Sequence, residues 1–80
     1  MTRYYFDLLD QDGRAVDEEG LEFSSIEAVE REAAKAMADA AADRFERLVQ
    51  PSESSIEVRD DQGLVMRVRF TIQIERLRQQ

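Results

Sequence analysis

Apolar and polar residues alternate in the first ordered segment of the chain. Residues 3–9 read RYYFDLL, with Tyr4, Phe6 and Leu8 on one side of an extended chain. This period of two predicts a half-buried first strand. The polar segment at 10–20 contains two glycines and predicts a loop, followed by a short extended piece at 21–23.

A long amphipathic helix gives the clearest pattern in the sequence. Ser24 to Glu27 resembles a capping box, in which a serine hydroxyl accepts a backbone N–H and Glu27 reaches back. Apolar residues then recur every three or four positions: Val29, Ala33, Ala36, Met37, Ala40, Ala41, Phe45 and Leu48. This spacing predicts a helix over 25–49, ended by Pro51.

A strand hairpin follows the helix. Ile56 and Val58 alternate with charged residues and predict a second strand, and Asp60 to Gly63 predicts a hairpin turn. The segment 64–74 has the strongest period-two pattern of the chain and predicts a long third strand. Its apolar positions are Leu64, Met66, Val68, Phe70, Ile72 and Ile74.

These elements predict an α+β fold of two layers, in the order β-α-β-β. One long helix packs on a three-stranded antiparallel sheet. We expect the third strand to be central, because its apolar face is the most continuous, with the first and second strands on either side. The connection from the first strand through the helix to the second is then right-handed. We expect the 80 residues to form a single domain, 1–80, with a frayed tail at 76–80.

The composition of the chain argues against most kinds of catalytic site. The chain has no cysteine and no histidine, so it lacks thiolate ligands, cysteine nucleophiles, the commonest general base and the commonest metal ligand. No serine has a histidine to activate it, and the three glycines fit no phosphate-binding loop. We therefore expect that the protein is not an enzyme and that it binds no cofactor and no metal.

The net charge of −7 and the absence of long apolar runs restrict partners and location. An acidic chain repels phosphate backbones, which disfavours nucleic acid as a partner. No apolar run approaches the roughly 20 residues of a membrane helix. The first residues lack the apolar region of a secretory signal, so we expect a cytoplasmic protein.

The acidic segment at 10–19 invites comparison with a calcium-binding loop. Four of its residues match part of the EF-hand spacing: Asp10, Asp12, Gly13 and Glu19. The first ligand position would fall on Leu8, which cannot ligate, and the flanks predict strand and loop instead of two helices. We interpret the segment as a solvated acidic turn, with divalent-cation binding left open.

One candidate interaction face lies on the polar side of the predicted sheet. It consists of Tyr5, Arg59, Arg67, Arg69 and Thr71. Arginines beside an aromatic ring on a sheet can hold single-stranded nucleic acid. The alternative, which we favour, pairs the arginines with Asp7 and Glu57 on neighbouring strands.

The end of the third strand is a candidate for self-association. Eleven residues extend about 36 Å, against about 23 Å for the first strand. The apolar end is therefore expected to lack a partner strand: Phe70, Ile72 and Ile74. Either the segment 21–23 or a second copy of the chain, giving a homodimer, would cover it.

Several stretches together resemble a known family. They are RYYFDL at 3–8, the turn DEEG at 17–20 leading into LEF at 21–23, the helix-start residues Ala28, Glu32 and Ala33, and the late positions Val58, Asp60, Gly63, Val65, Val68 and Phe70. The chain resembles the family of short bacterial proteins numbered 6894 among domains of unknown function. That family often has histidine where this chain has Asp7 and proline where it has Arg69. The resemblance spans nearly the whole chain and implies no activity.

Two functions remain open. The first is a small non-enzymatic protein-binding or accessory domain, whose partner is an unknown protein or a second copy of the chain. The second is a nucleic-acid-binding regulator that uses the arginine-bearing face of the sheet.

Overall fold

The computed structural model describes residues 1–10, 13–43 and 52–78. The elements, in chain order, are β1 (Thr2–Asp10), β2 (Gly13–Ala15), β3 (Leu21–Phe23), α1 (Ile26–Asp43), β4 (Ser52–Asp60) and β5 (Gly63–Ile72). One helix beside an antiparallel sheet of five strands confirms the α+β class. The prediction of three strands is wrong, because the segment predicted as a loop contains β2 and the extended piece at 21–23 pairs as β3.

The strand order is β2-β1-β4-β5, with β3 also paired to β1. Every pairing is antiparallel, and β2 and β3 lie along different parts of β1. The prediction that the third strand is central is wrong: the hairpin's first strand, β4, lies between β1 and β5.

The path of the chain explains this order. β3 returns the chain to the beginning of β1, where Phe23 lies opposite Thr2. The 18 residues of α1 span about 27 Å, enough to bring the chain back to the other end of β1. There β4 runs antiparallel to β1, with Ser55 opposite Leu9. The predicted right-handed crossover, which required two parallel strands, is wrong for this reason.

The core lies between α1 and one face of the sheet. Val29, Ala33 and Met37 of the helix are buried with Ile56 and Val58 of β4. Half-buried residues surround them: Tyr4, Phe6, Leu8, Phe23, Ala36, Ala40, Met66, Val68 and Phe70. The predicted apolar stripe is therefore confirmed as far as Ala40, whereas Phe45, Leu48 and Pro51 lie outside the described residues.

The helix begins with a serine cap. The Oγ atom of Ser25 accepts the backbone N–H of Ala28 at 3.2 Å, which satisfies one unpaired donor of the first turn. The expected return contact from Glu27 is wrong, because a cap at Ser25 places Ala28 at the position from which the side chain would reach back.

The β4–β5 hairpin contains an irregularity that the sequence pattern does not show. Asp60 lies opposite Gly63, whose φ of 122° favours glycine, as predicted for the turn. Val58 pairs with Met66 but Arg59 pairs with Leu64, so Val65 is an extra residue in a β-bulge. Leu64 is consequently opposite Arg59 and not on the apolar face predicted for it.

β5 is paired along its whole length. Ile72 lies opposite Ser52 and Phe70 opposite Ser54, so the prediction that these two residues lack a partner strand is wrong. The polar residues before Ile56 belong to β4, which makes β4 nine residues long. Ile74 follows the strand and is exposed. The expected cover from 21–23 is also wrong, since that segment pairs with β1.

Candidate functional site

The side of the sheet away from α1, here called the polar face, is centred on Asp7. The Asp7 side chain is only 2% exposed. Arg59 Nε donates to Asp7 Oδ2 at 2.9 Å, and the backbone N–H of Asp17 donates to Asp7 Oδ1 at 2.9 Å. Arg14 Nη1 lies 3.6 Å from Asp7 Oδ2. A buried carboxylate of this kind needs such partners, because an unpaired buried charge is strongly destabilising.

Hydrogen bonds of Asp17 hold the segment between β2 and β3 against the polar face. Its Oδ2 atom accepts the backbone N–H of Phe6 at 3.1 Å, and its Oδ1 atom accepts the N–H groups of Glu19 and Gly20 at 3.1 Å. Arg59 Nη2 donates to the carbonyl oxygen of Asp17 at 2.8 Å. These hydrogen bonds hold the segment 17–20 against Asp7.

Gly20, in the same segment, is in close contact with Tyr5. Gly20 has a φ of 70°, and a Cβ there would lie 2.8 Å from the carbonyl oxygen of Tyr4 and 2.9 Å from Cε1 of Tyr5. The guanidinium of Arg59 lies 4.6 Å from the centre of the Tyr5 ring, a distance at which a cation is attracted to the ring face. One face of Tyr5 is therefore already occupied by a cation from the same chain.

Glu57 on β4 binds arginines from β2 and β5. Its Oε1 atom accepts Arg14 Nη2 at 3.0 Å, and its Oε2 atom accepts Arg67 Nε at 2.9 Å. The central strand therefore carries a carboxylate between cations from β2 and β5. Opposite charges across strands are stabilising, and these contacts connect β4 to its neighbour β5 and, across β1, to β2.

These contacts lower the pKa of each carboxyl group involved. Burial raises the pKa of Asp7, but hydrogen bonds from Arg59 and the Asp17 N–H, with the charges of Arg59 and Arg14, bring it below its usual value. Burial likewise raises the pKa of Asp17, and three backbone N–H groups outweigh it. The Arg67 hydrogen bond is the main cause of the lowered pKa of Glu57. The three groups are held as anions.

The structure brings together three of the five residues of the predicted interaction face. Tyr5, Arg59 and Arg67 belong to the ion-pair network, and the predicted pairing of these arginines with Asp7 and Glu57 is confirmed. The other two members, Arg69 and Thr71, are exposed further along β5. Sequence reasoning missed the roles of Arg14 and Asp17, because both lie in the segment predicted as a loop. The one sign of Asp17 was its place in the turn at 17–20 that resembles the family, and Arg14 had no sign beyond its charge.

A second feature is the outer edge of β5. Within the described residues, β5 pairs with β4 alone. Its helix-side residues are only half-buried: Met66, Val68, Phe70 and Ile72. Exposed apolar residues lie in β5 and the segment after it: Leu64, Val65, Ile74 and Leu77. In the described part of the chain, this edge therefore combines a side without a neighbouring strand with incompletely covered apolar side chains.

The described residues provide little for small-molecule or metal chemistry. No group of three or more acidic side chains in these ranges is placed to hold a metal ion. Asp10 pairs with Gly13 in a hairpin, whereas Asp12 lies outside the described residues. A shallow recess of about 420 Å³ is lined by Met1, Thr2, Arg3, Tyr5, Glu22 and Asp61. No helix in the described part of the chain is long and apolar enough to cross a membrane.

Fold and polar face together define a small α+β domain whose sheet carries an internal ion-pair network. The family model described as "Domain of unknown function (DUF6894)" matches residues 3–71. The chain belongs to this family, as the resemblance in its sequence indicated. No curated protein and no solved structure matches the chain.

Proposed function

We propose that this chain is a non-enzymatic protein-binding domain that acts through the outer edge of β5. Two features of β5 together carry the proposal. Within the described residues this ten-residue strand is paired on one side, and its helix-side apolar side chains are only half-buried. Edge strands of this kind are templates for pairing with another chain.

Nearby exposed residues extend the apolar surface. Leu64 is 58% exposed, Ile74 55% and Leu77 89%. Leu64 lies at the hairpin end of β5, and Ile74 and Leu77 follow its other end, so apolar residues are exposed at both ends of the strand. The candidate partners are another protein and a second copy of the chain.

The nucleic-acid alternative has less support. Arg59 and Arg67 are already paired with Asp7 and Glu57, and the Tyr5 ring contacts Arg59 and Gly20. A base stacked on the face of Tyr5 that Arg59 covers would displace this guanidinium, and a phosphate at Arg59 would compete with the buried Asp7 carboxylate. Salt-dependent binding of a single-stranded oligonucleotide at low ionic strength would restore this alternative.

Affinity capture with matched variants tests the proposal. The double variant Val65→Glu with Ile74→Glu places charge on the edge, and Val16→Glu, a residue 54% exposed on another segment, makes the same change elsewhere. We expect proteins captured by the wild-type chain from an extract of the cells that produce it to be retained by Val16→Glu and lost by the double variant. Equal capture by both variants, or no specific capture by the wild-type chain, would refute the proposed function. Circular dichroism should show that all three proteins are folded.

A further inference from the structure

The side chains along the β5 edge specify what kind of strand fits beside it. On the helix side the strand carries Met66, Val68, Phe70 and Ile72, and on the polar face it carries Arg67 and Arg69. We propose that this edge binds an extended segment of another protein in which apolar residues alternate with carboxylates, added to the sheet as the next strand. The inference rests on the proposed function and names its partner class.

The strand already paired with β5 has this pattern at residues 56–58. Ile56 lies opposite Val68, and Val58 lies opposite Met66 on the helix side. Between them Glu57 lies opposite Arg67, and its carboxylate binds that guanidinium. A strand added at the outer edge would meet the same β5 side chains from the other direction, because side chains on one face of a sheet contact neighbours on both adjacent strands.

Arg67 has the capacity for a second carboxylate. It binds Glu57 through Nε and Nη2, while its side chain is still 40% exposed. A guanidinium has five N–H donors arranged to meet carboxylates. An acidic side chain on the incoming strand can therefore bind Arg67 without displacing Glu57.

Charge distribution favours an acidic partner over a second copy. Residues 63–78 contain four arginines and one glutamate, a charge of +3 within a chain of −7, so the remainder carries −7 − 3 = −10. An acidic peptide is attracted to this segment and repelled by the rest of the molecule. Two copies joined through β5 would instead bring two +3 segments together, and like charges across strands are destabilising.

A peptide titration followed by nuclear magnetic resonance tests the inference directly. The probe is the capped peptide SESSIEVRD, which copies residues 52–60. The matched control carries Glu53→Lys and Glu57→Lys, and the protein itself is unchanged, so failure to fold cannot confuse the result. We expect saturable shifts of the backbone amides in 63–72 and about tenfold weaker binding of the control, which is about 1.4 kcal/mol.

Each other outcome overturns the inference. No binding of the probe at millimolar concentration removes the edge as a site for such a strand, and equal binding of the control removes the role of charge. Shifts spreading to Tyr5–Leu9, the residues paired with β4, would show that the peptide replaces β4. A concentration-independent dimer by light scattering, with slow hydrogen exchange along β5, would assign the edge to a second copy. If the captured proteins depend on the edge but the probe does not bind, the proposed function stands and this inference alone fails.

Discussion

Asp7 and Asp17 are joined by hydrogen bonds although both side chains are carboxylates. The Asp17 backbone N–H donates to Asp7 Oδ1 at 2.9 Å, and Asp17 Oδ2 accepts the backbone N–H of Phe6 at 3.1 Å. Arg59 bridges the two residues, through Nε to Asp7 and through Nη2 to the Asp17 carbonyl oxygen. One cation and several N–H groups thus allow the two carboxylates to lie close together, one on β1 and the other in the segment between β2 and β3.

Removal of the Asp7 carboxylate should destabilise the fold. Asp7→Ala leaves Arg59 and the Asp17 N–H without an acceptor, and breaking a buried pair costs about 3 kcal/mol. Urea denaturation at pH 7 measures the loss in the free energy of unfolding. Asp39→Ala, on the exposed face of α1, is the matched control and should change that value by less than about 0.5 kcal/mol. Equal effects of the two substitutions would contradict the structural role of Asp7.

Stability should fall in acid. The folded-state pKa values of Asp7, Asp17 and Glu57 are lowered, so below pH 4 to 5 the unfolded chain takes up protons that the folded chain does not. Their contribution is fully present above the ordinary carboxyl pKa of about 4 and is lost as pH falls through the folded-state values. We expect urea midpoints to decrease between pH 5 and pH 3. Asp7→Asn should show a shallower decrease, and an unchanged slope would exclude Asp7 as a contributor.

Gly20 should not tolerate a side chain. Gly20→Ala places a methyl group within 3 Å of Tyr4 and Tyr5 atoms at a φ of 70°, so we expect a loss of roughly 1–3 kcal/mol in the free energy of unfolding. The same substitution in a Tyr5→Ala background should cost less, because the ring contact is gone while the φ strain and the contact with the Tyr4 carbonyl remain. Additive effects in this double-mutant cycle would show that the ring contact is unimportant.

The serine cap of α1 gives a local test of the helix start. Ser25→Ala removes the acceptor of the Ala28 N–H and should reduce the free energy of unfolding by about 1 kcal/mol. Ser24→Ala is the control, because the neighbouring serine is exposed and should be close to neutral. Thermal unfolding of the two variants compares them, and a larger effect at Ser24 would place the cap one residue earlier.

The sequence by itself determined the elements with strong local patterns. Period-two alternation predicted β1 and β5, the spacing from Val29 to Ala40 predicted α1, and Gly63 marked the hairpin turn. It also predicted that Arg59 and Arg67 would pair with Asp7 and Glu57, since opposite charges on adjacent strands are favourable whichever strand is central.

Tertiary structure alone decided the order of the strands and the use of the polar segment at 13–20. β2 is too short and too polar to show a period, and it is ordered by pairing with β1 instead of by burial. The bulge at Val65 places Leu64 on the face opposite to the one that strict alternation predicts, and an alternating pattern cannot reveal such a bulge. β4 lies between β1 and β5, and its Glu57 binds Arg14 of β2, 43 positions earlier in the chain, a contact that no local pattern reveals.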